Sequence, residues 1–147
     1  MCIRDRHIEL DDICTNKAAI IEKTVRRIKE ELAADPQLKN YTHIDALLLN
    51  IERACQAVID LALHLIAKNH FGVPQNSADA FTILFKNKII SKQTAKELIG
   101  MTGFRNIAIH EYQNLNMDIV HDIANEKWKS LIVFCKELGI LIKPQNS

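Results

Sequence analysis

The segment from about Thr42 to Asn69 constrains this chain most. Its apolar residues fall at Ile44, Leu47/Leu48, Ile51, Ala54/Cys55, Val58, Leu61/Ala62 and Leu65, a heptad-like spacing kept for some three heptads. That period belongs to an α-helix burying a long stripe. A second set, Leu49, Ile59 and Leu63, lies off the stripe and implies burial on two sides, against either a subunit interface or a larger intrachain core. A long helix with two apolar sides must be the strut of a helical bundle.

The remaining segments fit around such a strut. A first helix is expected over about Ile13–Ala34, with Ala18, Ile21, Val25, Ile28 and Leu32 on one face, ended by Asp35-Pro36 because the residue before proline disfavours helical backbone. Phe71-Gly72-Val73-Pro74 breaks the pattern after the strut, and Ser77 is placed to cap a short helix of about Ala78–Asn87. A helix starting at Ser91 follows. A last one, capped by Asn114 or Asn116, carries Ala124, Trp128, Leu131, Cys135 and Leu138 and stops at Gly139. With 147 residues, 48% apolar, four glycines and three prolines, the chain suits one globular, turn-poor domain. The expectation is all-α: an up-and-down bundle of four principal helices plus a short one, over residues 11–140. Residues 1–10 read as a disordered or non-native leader, and 141–147 as a flexible tail.

A net charge of +1 gives no global field to hold nucleic acid, so any RNA contact must be local. The candidates are Lys86, Lys88, Lys92 and Lys96, which equally describe a solvated lysine face. Cys2, Cys14, Cys55 and Cys135 form no C-x-x-C pair and have no matching histidine spacing for zinc, so no metal site and no cofactor are expected. Free thiols on apolar stripes suit a reducing cytoplasm. No apolar run reaches the ~18 residues of a membrane span.

Gly103-Phe104-Arg105-Asn106-Ile107-Ala108-Ile109-His110-Glu111-Tyr112 departs from the bundle pattern by placing an arginine, an amide, an imidazole and a phenol within eight positions. On a helix, Gly103, Asn106 and His110 share the face opposite a core stripe of Leu98, Met101, Phe104 and Ile107 with Ala108, and Arg105 flanks that stripe. Arg105 and His110 then stand roughly 140° apart with about 7.5 Å of rise between them. One copy does not bring the two heads together unaided. Two copies across a two-fold axis would place two arginines and two histidines in one groove. Structural readings stand beside this one: His110 as a helix-terminal histidine on the last carbonyls, Arg105 paired with Glu111 or Asp118, and Tyr112 as a core-edge aromatic. His43, His64, His70 and His121 lack a comparable neighbourhood and read as structural.

Arg105-x4-His110-x-Tyr112 resembles the R-x4-H-x-Y signature of HEPN-domain toxins of the HepT family. The likeness runs from about Asp11 to Leu138 and takes in Gly72-Val73-Pro74-Gln75-Asn76-Ser77 and Asn114-Leu115-Asn116-Met117-Asp118-Ile119-Val120. It implies a dimeric, metal-independent ribonuclease acting on tRNA or mRNA. In such a ribonuclease His110 serves as base or acid, Arg105 stabilises the phosphorane, and Asn106 orients His110 or binds substrate. It also implies an MNT-type nucleotidyltransferase antitoxin that silences the toxin by adding AMP to Tyr112. This chain has no glycine-serine motif with paired aspartates, and so resembles the substrate of that transferase. Two other readings are a non-catalytic HEPN module binding a nucleotide or partner beside a nucleotidyltransferase, and a plain helical dimerisation domain.

Overall fold

The computed structural model describes residues 8–110 and 114–143, without the side chains of Ile109 and His110. In chain order the helices are α1 (Asp12–Ala34), α2 (Tyr41–Lys68), α3 (Ser77–Lys86), α4 (Lys92–His110), α5 (Met117–Asp122), a π-helical turn (Ile123–Lys127) and α6 (Lys129–Leu138). No strand occurs among the described residues, and the all-α bundle is as expected. The starts of α1 to α5 each have a side-chain cap. Asp11 accepts the Cys14 N–H at 3.0 Å, Asn40 that of Thr42 at 2.9 Å, Ser91 Oγ that of Thr94 at 3.1 Å and Asn116 that of Asp118 at 2.9 Å. Such caps satisfy donors that a helix cannot pair internally. The cap of α3 is Asn76, which accepts from Asp79 N at 2.8 Å; Ser77, the expected cap, is the first helical residue. Gly139 ends α6 at φ 94°, a left-handed position that favours glycine.

α2 is the central strut, packed along its length on α1 and covered elsewhere by α3 and α4. Every residue of its predicted stripe is buried, and so are Ala57 and Ile66. Of the second set only Ile59 is buried; Leu49 and Leu63 face solvent. α1 buries Ala18, Ile21, Val25 and Ile28, and Leu32 packs at the margin. Phe81 of α3 meets Phe134 of α6 edge to face, ring centres 6.2 Å apart, which locks the bottom of the bundle. Ile89 and Ile90, in the turn between α3 and α4, are fully buried, and the Ser91 N–H donates to Glu137 at 3.0 Å. A large aliphatic or aromatic side chain buried in this way stabilises the fold by about 1.5–3 kcal/mol. The start of α4 is therefore fixed from two sides.

The last helix departs from its expectation. It is interrupted by the π turn, in which Trp128 N–H reaches back to Ile123 O at 3.1 Å, a five-residue step. Trp128 itself stays half-buried and lies under the Lys29 ammonium of α1, 4.8 Å from the ring centre.

Candidate active site

α4 turns its core side nearer to Arg105 than the apolar stripe predicts. Thr94, Leu98, Met101, Thr102 and Phe104 are buried, while Arg105 and Ala108 are half-buried. The threonines fit because their hydroxyls can bond within the helix, as Thr102 does to Leu98 O at 2.8 Å. This rotation places Ile107, expected in the core, on the open face at 51% exposure, beside exposed Gly103 and Asn106.

Arg105 consequently borders a groove of about 440 Å³ between α4 and α2, walled by Leu48, Leu49, Phe104 and Ala108 with Asp45 and Glu52 at its α2 side. Its Nη1 donates to Asn106 Oδ1 at 3.3 Å. Its Nε is shielded from solvent and has no partner among the described residues. An unpaired buried donor costs about 1–3 kcal/mol, which an anionic oxygen entering the groove would offset. Asp45 and Glu52 were not singled out in the sequence. Their signal is a pair of carboxylates seven residues apart on the strut, hence on one face. Beneath Arg105 the Cys55 thiol bonds Met101 O at 3.8 Å, and burial pushes its pKa up to about 12 against the pull of the guanidinium. Cys55 stays a neutral, inert thiol.

His110 is the last residue of α4, five positions beyond Arg105. Its side chain and the whole of Tyr112 lie outside the described residues, as does Glu111, one of the partners considered for Arg105. Asp118, the other, makes no ion pair with it among the described residues. Lys86, Lys88, Lys92 and Lys96 are all exposed and none borders the Arg105 groove. Lys96 precedes Arg105 by nine residues, or ~14 Å of helix. Any RNA they touch would have to extend along α4.

Two of the other histidines, His43 and His64, have structural partners. His43 Nδ1 lies 2.7 Å from Glu31, and His64 Nε2 lies 2.8 Å from Asp11. Asp11, Cys14 and His64 bring ligand-type atoms within 4.8 Å of one another, but the Lys68 ammonium already bonds Asp11 at 3.0 Å and supplies the positive charge there. The cluster staples the start of α1 to the end of α2. The Cys14 N–H, then His64, then Lys68 hold the Asp11 carboxyl well below the usual 3.8. A carboxyl with a depressed native pKa stabilises the fold fully above its ordinary value and ceases to do so as pH falls through the native one. Asp11→Asn is therefore expected to lower the thermal midpoint at pH 7 and to shrink the difference from the parent below pH 3.8, read by circular dichroism melts across pH. An equal deficit at every pH would contradict the staple.

The fold and the Arg105 groove define a helical domain of the HEPN type, with its R-x4-H segment at the end of the fourth helix. The chain belongs to the Ribonuclease HepT-like family, whose model matches residues 19–138. It is 41% identical over 112 residues to the mRNA nuclease HepT of Shewanella oneidensis, covering 76% of this chain and 84% of that one. It is 26% identical over 87 residues to the tRNA nuclease HepT of Aphanizomenon flos-aquae, covering 59% of each. Among solved structures it is similar to the tri-AMPylated Shewanella oneidensis HEPN toxin in complex with MNT antitoxin, with a TM-score of 0.83 and 35% identity over 88% of this chain and 98% of that one. A toxin–antitoxin crystal structure with AMP-PNP matches with the same TM-score, 34% identity and the same coverage. No helix among the described residues is long and apolar enough to cross a membrane.

Proposed function

We propose that this chain is the ribonuclease toxin of a toxin–antitoxin pair. It cuts RNA without a metal at a groove completed by a second copy, and it is silenced when an MNT-type nucleotidyltransferase transfers AMP to Tyr112. The observation that carries the reading is Arg105: a half-buried guanidinium, its Nε unpartnered among the described residues, at the wall of a groove five residues before a helix-terminal histidine. In the reaction the 2′-oxygen attacks phosphorus and the bond to the 5′-oxygen breaks. His110 of one copy removes the 2′ proton and His110 of the other, or water, returns one to the leaving oxygen. Arg105 neutralises the phosphorane through its fork of donors.

Support for a second copy lies on the open face of α4. A Cβ built at Gly100 or Gly103 meets nothing within 4 Å, and Ile107 on the same face is 51% exposed. Among the described residues nothing fills that strip, and it is the surface on which the proposed two-fold contact would form. The dimer should bury more than ~1,000 Å² in total. Light scattering at micromolar concentration should give twice the chain mass. Ile107→Glu should shift the mass toward monomer, with loss of RNA cleavage and an unchanged melting temperature. Cleavage by the parent should persist in excess chelator. A monomeric parent that cleaves RNA would sink the shared-groove reading; loss of cleavage in chelator would sink the metal-free one.

A further inference from the structure

On the other side of Leu48 from the Arg105 groove lies a second cavity, of about 540 Å³, between the α1–α2 loop and the chain entering α5. Leu38, Leu48, Leu115 and Met117 form its apolar wall, and Lys39 and Tyr41 stand at its rim. Tyr41 is the first residue of α2 and is 80% exposed, an unusual position for a large ring, which makes no ring contact or hydrogen bond among the described residues. We infer that this cavity is a nucleobase subsite of the ribonuclease, in which a base next to the scissile phosphate stacks on Tyr41 while Lys39 takes a neighbouring phosphate. The inference rests on the ribonuclease reading above and adds to it the part of the substrate that is recognised.

Three observations favour RNA as the occupant. The cavity adjoins the Arg105 groove across Leu48, which lines both, so a strand with one phosphate at Arg105 has a neighbouring nucleotide at hand. The rim cation is available: Lys39 forms no ion pair among the described residues. The loop carrying it is also built rigidly. Asp35 accepts the backbone N–H of Lys39 at 3.1 Å and of Asn40 at 2.8 Å, and Leu38 is held at φ 53°, a left-handed conformation that a leucine rarely adopts. That conformation sends the Leu38 side chain into the core at 9% exposure, with Lys39 and Tyr41 left outside. An exposed ring over an apolar cavity beside a cation is how proteins take single-stranded bases, by stacking together with phosphate contact.

The test is cleavage of a short RNA whose cut position has been mapped, together with the same RNA made abasic beside that position. Tyr41→Ala should lower kcat/KM by about 5- to 150-fold, the range for loss of one stacked base, mainly through KM. Tyr41→Phe, which keeps the ring, should stay near the parent rate. The abasic substitution should slow the parent strongly and Tyr41→Ala little, because both changes remove one interaction. Lys39→Ala should weaken binding and flatten its salt dependence. A parent that cleaves no RNA overturns the ribonuclease reading and this inference with it. A parent that cleaves while Tyr41→Ala matches it, or while the abasic penalty is equal in both, overturns the inference alone. If Tyr41→Ala leaves RNA kinetics intact but loosens the dimer or the antitoxin complex, the surface is a protein contact instead.

Discussion

Arg105→Ala and His110→Ala are each expected to lower RNA cleavage by about 10²–10⁴-fold, the usual loss when one charge-stabilising or proton-transferring group is removed. Toxicity in cells should disappear with it. Neither change should unfold the protein. Arg105 is only half-buried and its Nε has no partner among the described residues, so truncation removes a desolvated donor and breaks no described ion pair. His110 lies six positions beyond Phe104, the last buried residue of α4 among those described. Arg105→Lys should recover only part of the rate, because an ammonium keeps the charge without the fork that spans two phosphate oxygens. Single-turnover cleavage alongside thermal melts separates the possibilities. Either alanine variant cutting at the parent rate would reject the site, and loss of activity with loss of folding would make Arg105 a structural residue.

Tyr112→Phe should produce a toxin that its antitoxin cannot silence. The substitution removes only the acceptor oxygen, so the variant should fold, dimerise and cleave as the parent does. Co-expressed with an MNT-type nucleotidyltransferase, the parent should gain mass in AMP units and lose activity; the variant should do neither. Each AMP brings a phosphodiester of roughly −1 charge two residues from His110, where it would compete with substrate for Arg105. The similar Shewanella oneidensis HEPN toxin is tri-AMPylated in its solved structure with MNT antitoxin. Exposure alone does not select the acceptor, because Tyr41, the other tyrosine, is 80% exposed. The proposed selection of Tyr112 rests instead on the arginine and histidine that precede it in the sequence. Peptide mapping of the co-expressed protein decides the matter: AMP on Tyr41, or no adduct, would overturn Tyr112 as the switch.

What the sequence determined by itself was whatever local periodicity and capping chemistry control. The stripe of α2 from Ile44 to Leu65 is buried throughout, Asp35-Pro36 and Gly139 end their helices, and Asn116 and Ser91 begin theirs. These features depend on residues within a turn or two of one another, so their cause is written in the chain. The R-x4-H-x-Y residues stood out differently, by their resemblance to a family signature, and the matching family model spans them. What only the tertiary structure decided was which side of a helix met a neighbour. The periodicity of α4 assigned Ile107 to the core and Arg105 to its flank. The contact with α2 turned the helix so that Arg105 entered a groove with Asp45 and Glu52 while Ile107 faced outward. Thr94 and Thr102 made that rotation possible, since a threonine whose hydroxyl is paired, Thr102 with Leu98 O in its own helix and Thr94 with the Ser91 cap, can be buried where polarity alone predicts exposure. Likewise Leu49 and Leu63 carry the same hydrophobic signal as Ile59, yet only Ile59 found a partner within the chain. Which apolar side chains are covered depends on where distant helices come to rest, and that is a property of packing between segments far apart in sequence.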